Sequence, residues 1–211
     1  MRQLDWYFDF ISPYAYLQFQ QLTELQPFVQ LRYKPVLFAG LLKHWGNIGP
    51  AEIGPKRLWT YQRVQWQAHQ LGVPLTMPEA HPFNPLDLLR LALHFECQPE
   101  VIRRLFAFVW QEGHTPQNSS AFAALLDELR VDAAQLQQDS IKQQLLAHSA
   151  EAIQAGVFGV PSAVVDGNVF WGSDSQAMLQ AYLQGDAFFA SAAYLRADDL
   201  PVGIQRNLAK S

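Results

Sequence analysis

Apolar side chains fall on alternate positions at the start of the chain. Leu4, Trp6, Phe8 and Phe10 alternate with Asp5, Tyr7, Asp9 and Ile11, and a period of two in an aromatic-rich run predicts a strand. The period then changes. Ser12 stands directly before Pro13, and Ala15, Phe19, Leu22 and Leu25 form one stripe with Gln18, Gln20, Gln21 and Glu24 opposite. Serine at N-cap with proline at N1 starts a helix, because proline has no N–H to leave unpaired there. That helix is expected to run about four turns, ending at Pro27. Leu31 to Val36 alternates again, so strand, helix and strand make a βαβ unit with parallel strands and a right-handed crossover.

From Leu37 to about Leu146 no convincing strand pattern occurs. An irregular connection, punctuated by Gly40, Gly46, Gly49, Pro50, Gly54 and Pro55, carries Lys43, His44, Asn47 and Lys56. Helices are expected over Lys56–Leu71, from Asn84-Pro85 to Glu96, from Pro99 to Gly113 and over Ser120–Arg130. Their aromatic residues read mostly as core. Asp139 opens a further helix to Ala155, with Gly156 at C′. Gly159-Val160-Pro161 then precedes two apolar runs, Ser162–Val165 and Val169–Trp171, and the intervening Asp166-Gly167 signals an antiparallel hairpin. Gly172-Ser173-Asp174 leads into a last helix, Gln176–Leu183.

The order is therefore βαβ, a helical block, then αββα. The expected class is α/β: a thioredoxin-like fold built from residues 1–36 and 147–185, with residues 37–146 as an all-helical insertion. The tail, 186–211, holds apolar residues but no clear element. In a thioredoxin-like arrangement the proline before the hairpin is typically cis, so a cis Val160–Pro161 bond is expected.

Composition narrows the partners. Hydrophobic residues are 49% of the 211 and charged residues 16%, enough apolar side chains for extensive burial. A net charge of −4 with scattered basic residues gives no footprint for nucleic acid, and no run of apolar residues is long enough to cross a membrane. The single cysteine, Cys97, excludes an internal disulfide and suits a reducing compartment. With no signal-peptide pattern at the N-terminus, a cytoplasmic location is expected. Six histidines (His44, His69, His81, His94, His114 and His148) show no metal-ligand spacing, so no metal is expected.

The chemistry concentrates where the first strand meets the first helix. The amides of a helix N-terminus and its macrodipole favour negative charge, and Ser12 places a hydroxyl there. On that pattern alone the favoured reading is a cap accepting from the amide of Tyr14 or Ala15.

Three separated motifs shift that reading. Phe8-Asp9-Phe10-Ile11-Ser12-Pro13-Tyr14-Ala15-Tyr16-Leu17, Gly156-Val157-Phe158-Gly159-Val160-Pro161-Ser162 and Phe170-Trp171-Gly172-Ser173-Asp174 resemble the signatures of 2-hydroxychromene-2-carboxylate isomerases. These are glutathione-dependent enzymes of aromatic degradation, close to kappa-class glutathione transferases and periplasmic disulfide oxidoreductases. The resemblance spans about Leu4 to Gly185. It implies that Ser12 donates a hydrogen bond to the glutathione sulfur, at the place where the oxidoreductases carry a nucleophilic cysteine. It implies that Asn47 and Lys56 hold the glycyl end and backbone of glutathione, and that Val160 pairs with the cysteinyl part through its own backbone. Ser173 and Asp174 would receive the γ-glutamyl group. Asp9, beneath the turn, either tunes the thiolate or ties down the adjoining loop.

The expected activity is glutathione-dependent conversion of 2-hydroxychromene-2-carboxylate, or a related aromatic intermediate, to trans-o-hydroxybenzylidenepyruvate by reversible thiolate addition. A small aromatic substrate would then lie among aromatic residues of the insertion. A kappa-class-like transferase that conjugates electrophiles is the alternative, and a binding protein without turnover is a third reading. A disulfide oxidoreductase is excluded, because Ser12-Pro13-Tyr14-Ala15 stands where Cys-x-x-Cys is needed. A homodimer is among the assemblies left open.

Overall fold

The alternation at the start of the chain becomes β1 (Arg2–Phe8), which sends Leu4, Trp6 and Phe8 to one face and Tyr7 to the other, all buried. The computed structural model describes residues 1–203. β1 is internal to a four-stranded sheet ordered β2-β1-β3-β4. β2 (Val29–Pro35) runs parallel to it, with Leu4 opposite Leu31 and Phe8 opposite Pro35. β3 (Ser162–Val165) lies antiparallel on its other side, and β4 (Asn168–Trp171) closes the hairpin. Asp166 and Gly167 both take positive φ, 50° and 81°, as a two-residue turn matched to strand twist requires. The thioredoxin-like α/β class is the class observed.

The helices are α1 (Pro13–Phe19), α2 (Phe38–Trp45), α3 (Gly54–Leu71), α4 (Leu86–His94), α5 (Pro99–Trp110), α6 (Ser119–Leu129), α7 (Asp139–Gln154), α8 (Gln176–Leu183) and α9 (Ala192–Leu195). Several depart from expectation. The first helix is shorter than four turns: Gln21 N–H turns back to the Gln18 carbonyl at 2.9 Å, and the chain continues as a 3₁₀ turn over Leu22–Leu25. The Gln21 carbonyl is taken by the Glu24 amide and by Gln176 Nε2, which leaves no i→i+4 bond to extend α1.

The connection read as irregular contains α2. Gly40 obscured its pattern, but the Asp9 carboxylate accepts from its first amide, at Phe38, and Gly46 ends it at φ 61°. α4 starts one residue later than expected, with Asn84 Oδ1 accepting from the Leu86 amide. The tail, read without elements, forms 3₁₀ turns at Ala187–Ala190 and Arg196–Asp199 around α9, two of these pieces capped by Asp186 and Ser191. The rest of the expected tail, 204–211, lies outside the described residues.

The main core joins sheet and helical block. Trp6 stacks on Phe8 at 4.5 Å between ring centroids, and Phe106 of α5 packs against Phe10 at 4.7 Å and Phe8 at 5.8 Å. Tyr7, Val36, Leu41, Ala152, Val157 and Val160 form a smaller cluster on the opposite face. Aromatic residues of the block are not all core, however. Trp110 is fully buried, whereas Trp59 and Trp66, seven residues apart on α3, are 64% and 61% exposed. Seven residues is nearly two helical turns, so both point outward from one face. No helix among the described residues is long and apolar enough to cross a membrane.

Candidate functional site

The turn between β1 and α1 is held on every side. The Ser12 amide bonds the Asp9 carbonyl at 3.1 Å. The Trp110 indole N–H donates to the Phe10 carbonyl at 2.9 Å, and His81 Nε2 lies 2.8 Å from the Ile11 carbonyl. A carbonyl only accepts, so Nε2 carries the proton and Nδ1 accepts from the Tyr61 hydroxyl, 2.7 Å away. Burial holds the His81 pKa below the usual imidazole value, against the pull of the Ile11 carbonyl. Under the turn, the fully buried Asp9 carboxyl accepts from the Ile11 amide at 3.1 Å and the Phe38 amide at 2.8 Å. Burial pushes its pKa up to about 7 even though those amides pull it down. Of the two roles considered for Asp9, tying down the loop is directly visible.

Ser12, 7% exposed, does two things at once. Its oxygen accepts from the Ala15 amide at 3.2 Å, and its hydroxyl donates to the Val160 carbonyl at 3.4 Å. The cap uses a lone pair and the donor uses the proton, so the two roles do not compete. The Val160–Pro161 bond is cis, as expected, and His81–Pro82 is a second cis bond that no pattern announced. The segment before Val160 is fixed by Trp45 Nε1 donating to the Val157 carbonyl at 2.9 Å and Ser162 Oγ to the Gly159 carbonyl at 2.8 Å. The Trp171 ring closes over Gly159, where a Cβ would come within 2.5 Å of Nε1.

Ser173 and Asp174 sit in a single 3₁₀ turn, Ser173–Ser175, that runs into α8; neither caps that helix. Gly172 precedes them at φ 88°, and a Cβ there would meet Asp174 Oδ1 at 2.5 Å. Buried Gln18 binds this turn to α1, accepting from the Trp6 indole at 2.8 Å and donating to the Gly172 carbonyl at 3.4 Å. Arg63 of α3 pairs with Asp174 at 3.1 Å, and its guanidinium lies 5.7 Å from the Tyr14 ring centre. Ser12 and Val160 are thus in contact, and Asp174 is tied through Arg63 to the Tyr14 ring of the same helix α1.

Asn47 and Lys56 are not drawn in. Asn47 is exposed just past α2, its side chain 2.8 Å from the Ile48 amide, and Lys56 is exposed in the first turn of α3. Among the described residues no hydrogen bond or ion pair links either to Ser12, Val160 or Asp174. The sequence pattern singles out neither Arg63 nor Tyr61, puts Gln18 on the polar side of α1 although it is fully buried, and marks His81 only among histidines without metal spacing. Arg63 is one of several scattered cations, and the Tyr61–His81 pair spans a proline-rich loop with no periodic signal.

A sheet of this order, with a serine hydroxyl heading its first helix and a cis-proline loop against it, defines a thioredoxin-like protein without the dithiol. The chain belongs to the DSBA-like thioredoxin domain family, which matches residues 3–184. It is similar to a 2-hydroxychromene-2-carboxylate isomerase of Pseudomonas putida, 29% identical over 187 residues, 84% of this chain and 92% of the relative. It is also similar to glutathione S-transferase kappa 1 of Rattus norvegicus, 27% identical over 209 residues, 88% of this chain and 92% of the relative. Among solved structures, that of a selenomethionine 2-hydroxychromene-2-carboxylate isomerase matches with a TM-score of 0.74 at 26% identity, covering 94% of this chain and 99% of that one. These relatives are an isomerase and a transferase, both enzymes.

Proposed function

We propose that the protein is a glutathione-dependent isomerase acting on 2-hydroxychromene-2-carboxylate or a related aromatic-degradation intermediate. The observation that carries this reading is Ser12, whose proton and lone pairs have separate partners at a helix N-terminus against the Val160 carbonyl. Glutathione, when bound, supplies a thiolate that adds reversibly to a conjugated carbon, frees a double bond to rotate and leaves again.

The protein's part is to favour that anion. An unperturbed thiol titrates near ~8.5, so only a few per cent is ionised at neutral pH. The Val160 carbonyl passes to the cysteinyl N–H, and the Ser12 proton turns to the sulfur. Because the Ala15 amide still holds the Ser12 oxygen, the oxygen stays in place while its proton changes partner. Ser173 and Asp174 receive the γ-glutamyl end. Asn47 and Lys56 are retained in the proposal as holders of the glycyl end and backbone of glutathione, at the far end of the tripeptide from Ser12. Residues 1–36 and 147–185 form the thioredoxin-like unit in this reading, with 37–146 as the insertion that shapes the aromatic site. A cytoplasmic location and a homodimer belong to the same proposal.

The test is ultraviolet assay of 2-hydroxychromene-2-carboxylate with and without glutathione. Turnover only with glutathione, and with no glutathione consumed, is the expected result. Similarity to the rat kappa-class enzyme favours a second reading, irreversible conjugation of an electrophile. Glutathione consumed in proportion to product would establish that reading instead.

A further inference from the structure

Arg63 and Asp174 form an ion pair that faces water, their side chains 38% and 61% exposed. An exposed pair of this kind contributes little to the fold and opens readily. Its members are nevertheless well placed. Asp174 is set by the positive-φ Gly172 turn, which Gln18 binds to α1. Arg63 is set by α3 and by the Tyr14 ring, two residues from Ser12.

We propose that Arg63 and Asp174 together form the subsite for the α-amino-acid end of glutathione, with Arg63 as the anchor of the α-carboxylate and Asp174 of the ammonium. This rests on the glutathione reading above and extends it by one residue and one charge. The zwitterion carries its two charges on a single carbon, side by side, as the protein carries the complementary ones. Binding then exchanges one internal ion pair for two to the ligand, and neither protein charge is left alone. A guanidinium also offers a carboxylate two parallel N–H donors, which a point cation does not. Asp174 alone would select the ammonium and leave the carboxylate repelled by its own negative charge.

Calorimetry tests this with three tripeptides: glutathione, 4-aminobutyryl-cysteinylglycine, which lacks the α-carboxylate, and glutaryl-cysteinylglycine, which lacks the ammonium. The wild type should bind glutathione about tenfold or more tightly than either analogue. Arg63→Gln should weaken glutathione to the level of the carboxylate-free analogue, which it should bind much as wild type does. It should still discriminate against the ammonium-free analogue. Arg63→Lys should recover part of the loss. An Arg63→Gln variant that keeps the wild-type preference for the α-carboxylate overturns the subsite, as does a wild type indifferent to that carboxylate, a result that needs no variant to fold. Wild-type protein that binds none of the three overturns the glutathione reading itself, and the subsite with it.

Discussion

Ser12 and Val160 stand 148 positions apart in sequence, yet the serine hydroxyl donates to the valine carbonyl at 3.4 Å while its oxygen accepts from Ala15. The cap and the donor are therefore one arrangement, and a single substitution removes both. Ser12→Ala is expected to cost about 0.5–2 kcal/mol of stability through the lost cap. On the function proposed above, it also removes a charge-assisted hydrogen bond to bound thiolate, worth roughly 1.5–3 kcal/mol. The thiol should then titrate about one to two units higher. Turnover near neutral pH should fall about tenfold to a hundredfold and recover partly as pH rises. Thiolate absorbance against pH, measured beside rate, checks this; superposed curves for wild type and variant would reduce Ser12 to a cap.

Asp9 gives a pH dependence of stability with a definite sign. Its carboxyl is raised from 3.8 to about 7 by burial, so between those values the unfolded chain loses a proton that the folded protein keeps. Stability from this group is full below about pH 4 and is lost as pH rises through about 7. The size is up to about 4 kcal/mol, at ~1.36 kcal/mol per unit. Urea titrations across that range should show the slope in wild type. Asp9→Asn should flatten it, while costing about 1–3 kcal/mol, because the Ile11 and Phe38 amides bond opposite carboxyl oxygens and one of these becomes an NH2 that cannot accept.

Why some of this was legible and some not follows from the range of the forces involved. β1, α8 and the hairpin are written in local periods and turn residues: alternation from Leu4 to Phe8, Asp166-Gly167, and the stripe over Gln176–Leu183. Local rules also placed Ser12 at an N-cap, since its Ala15 partner is three residues away. α2 was missed because its start is capped from Asp9, twenty-nine positions earlier. Arg63 carries no local signal either: its partners Asp174 and Tyr14 are brought to it only by the packing of α1, α3 and the 3₁₀ turn. The exposure of Trp59 and Trp66 depends on what packs beside α3, and residue type alone favours burying them.

Gly159 is expected to reject any side chain. A Cβ would lie 2.5 Å from Trp171 Nε1, and Trp171, 54% exposed and packed on Phe158 at 4.9 Å, must swing outward to admit it. Gly159→Ala should therefore destabilise by about 1–3 kcal/mol and alter indole fluorescence. Adding Trp171→Ala removes the clash, so the double variant should lose less than the two single changes together. A strictly additive result would show that the ring is not what excludes the methyl group.

His81 supplies the last test, because it supports the Ser12 turn from outside both elements that form it. Its Nε2–H donates to the Ile11 carbonyl, and Nδ1 accepts from Tyr61, so nitrogen chemical shifts near neutral pH should report the Nε2–H tautomer. Burial lowers its pKa from 6.5, so the unfolded chain takes up a proton that the folded protein refuses. The stability from this group is present above about pH 6.5 and is lost as pH falls, the reverse of Asp9. His81→Phe keeps an aromatic ring but leaves the Ile11 carbonyl without its donor, while the Tyr61 hydroxyl retains the backbone carbonyl of position 81, at a cost of about 1–3 kcal/mol. It should also remove the acid-side slope that His81 contributes. Tyr61→Phe separates the two effects: the turn keeps its Nε2 donor, and what is lost is the hydroxyl shared between Nδ1 and the His81 carbonyl, 2.7 and 3.0 Å away. If the turn is what holds Ser12 in place, His81→Phe should weaken glutathione binding in calorimetry while Tyr61→Phe leaves it nearly unchanged. Equal losses in the two variants would mean that the tyrosine, and not the bond to Ile11, is the support that matters.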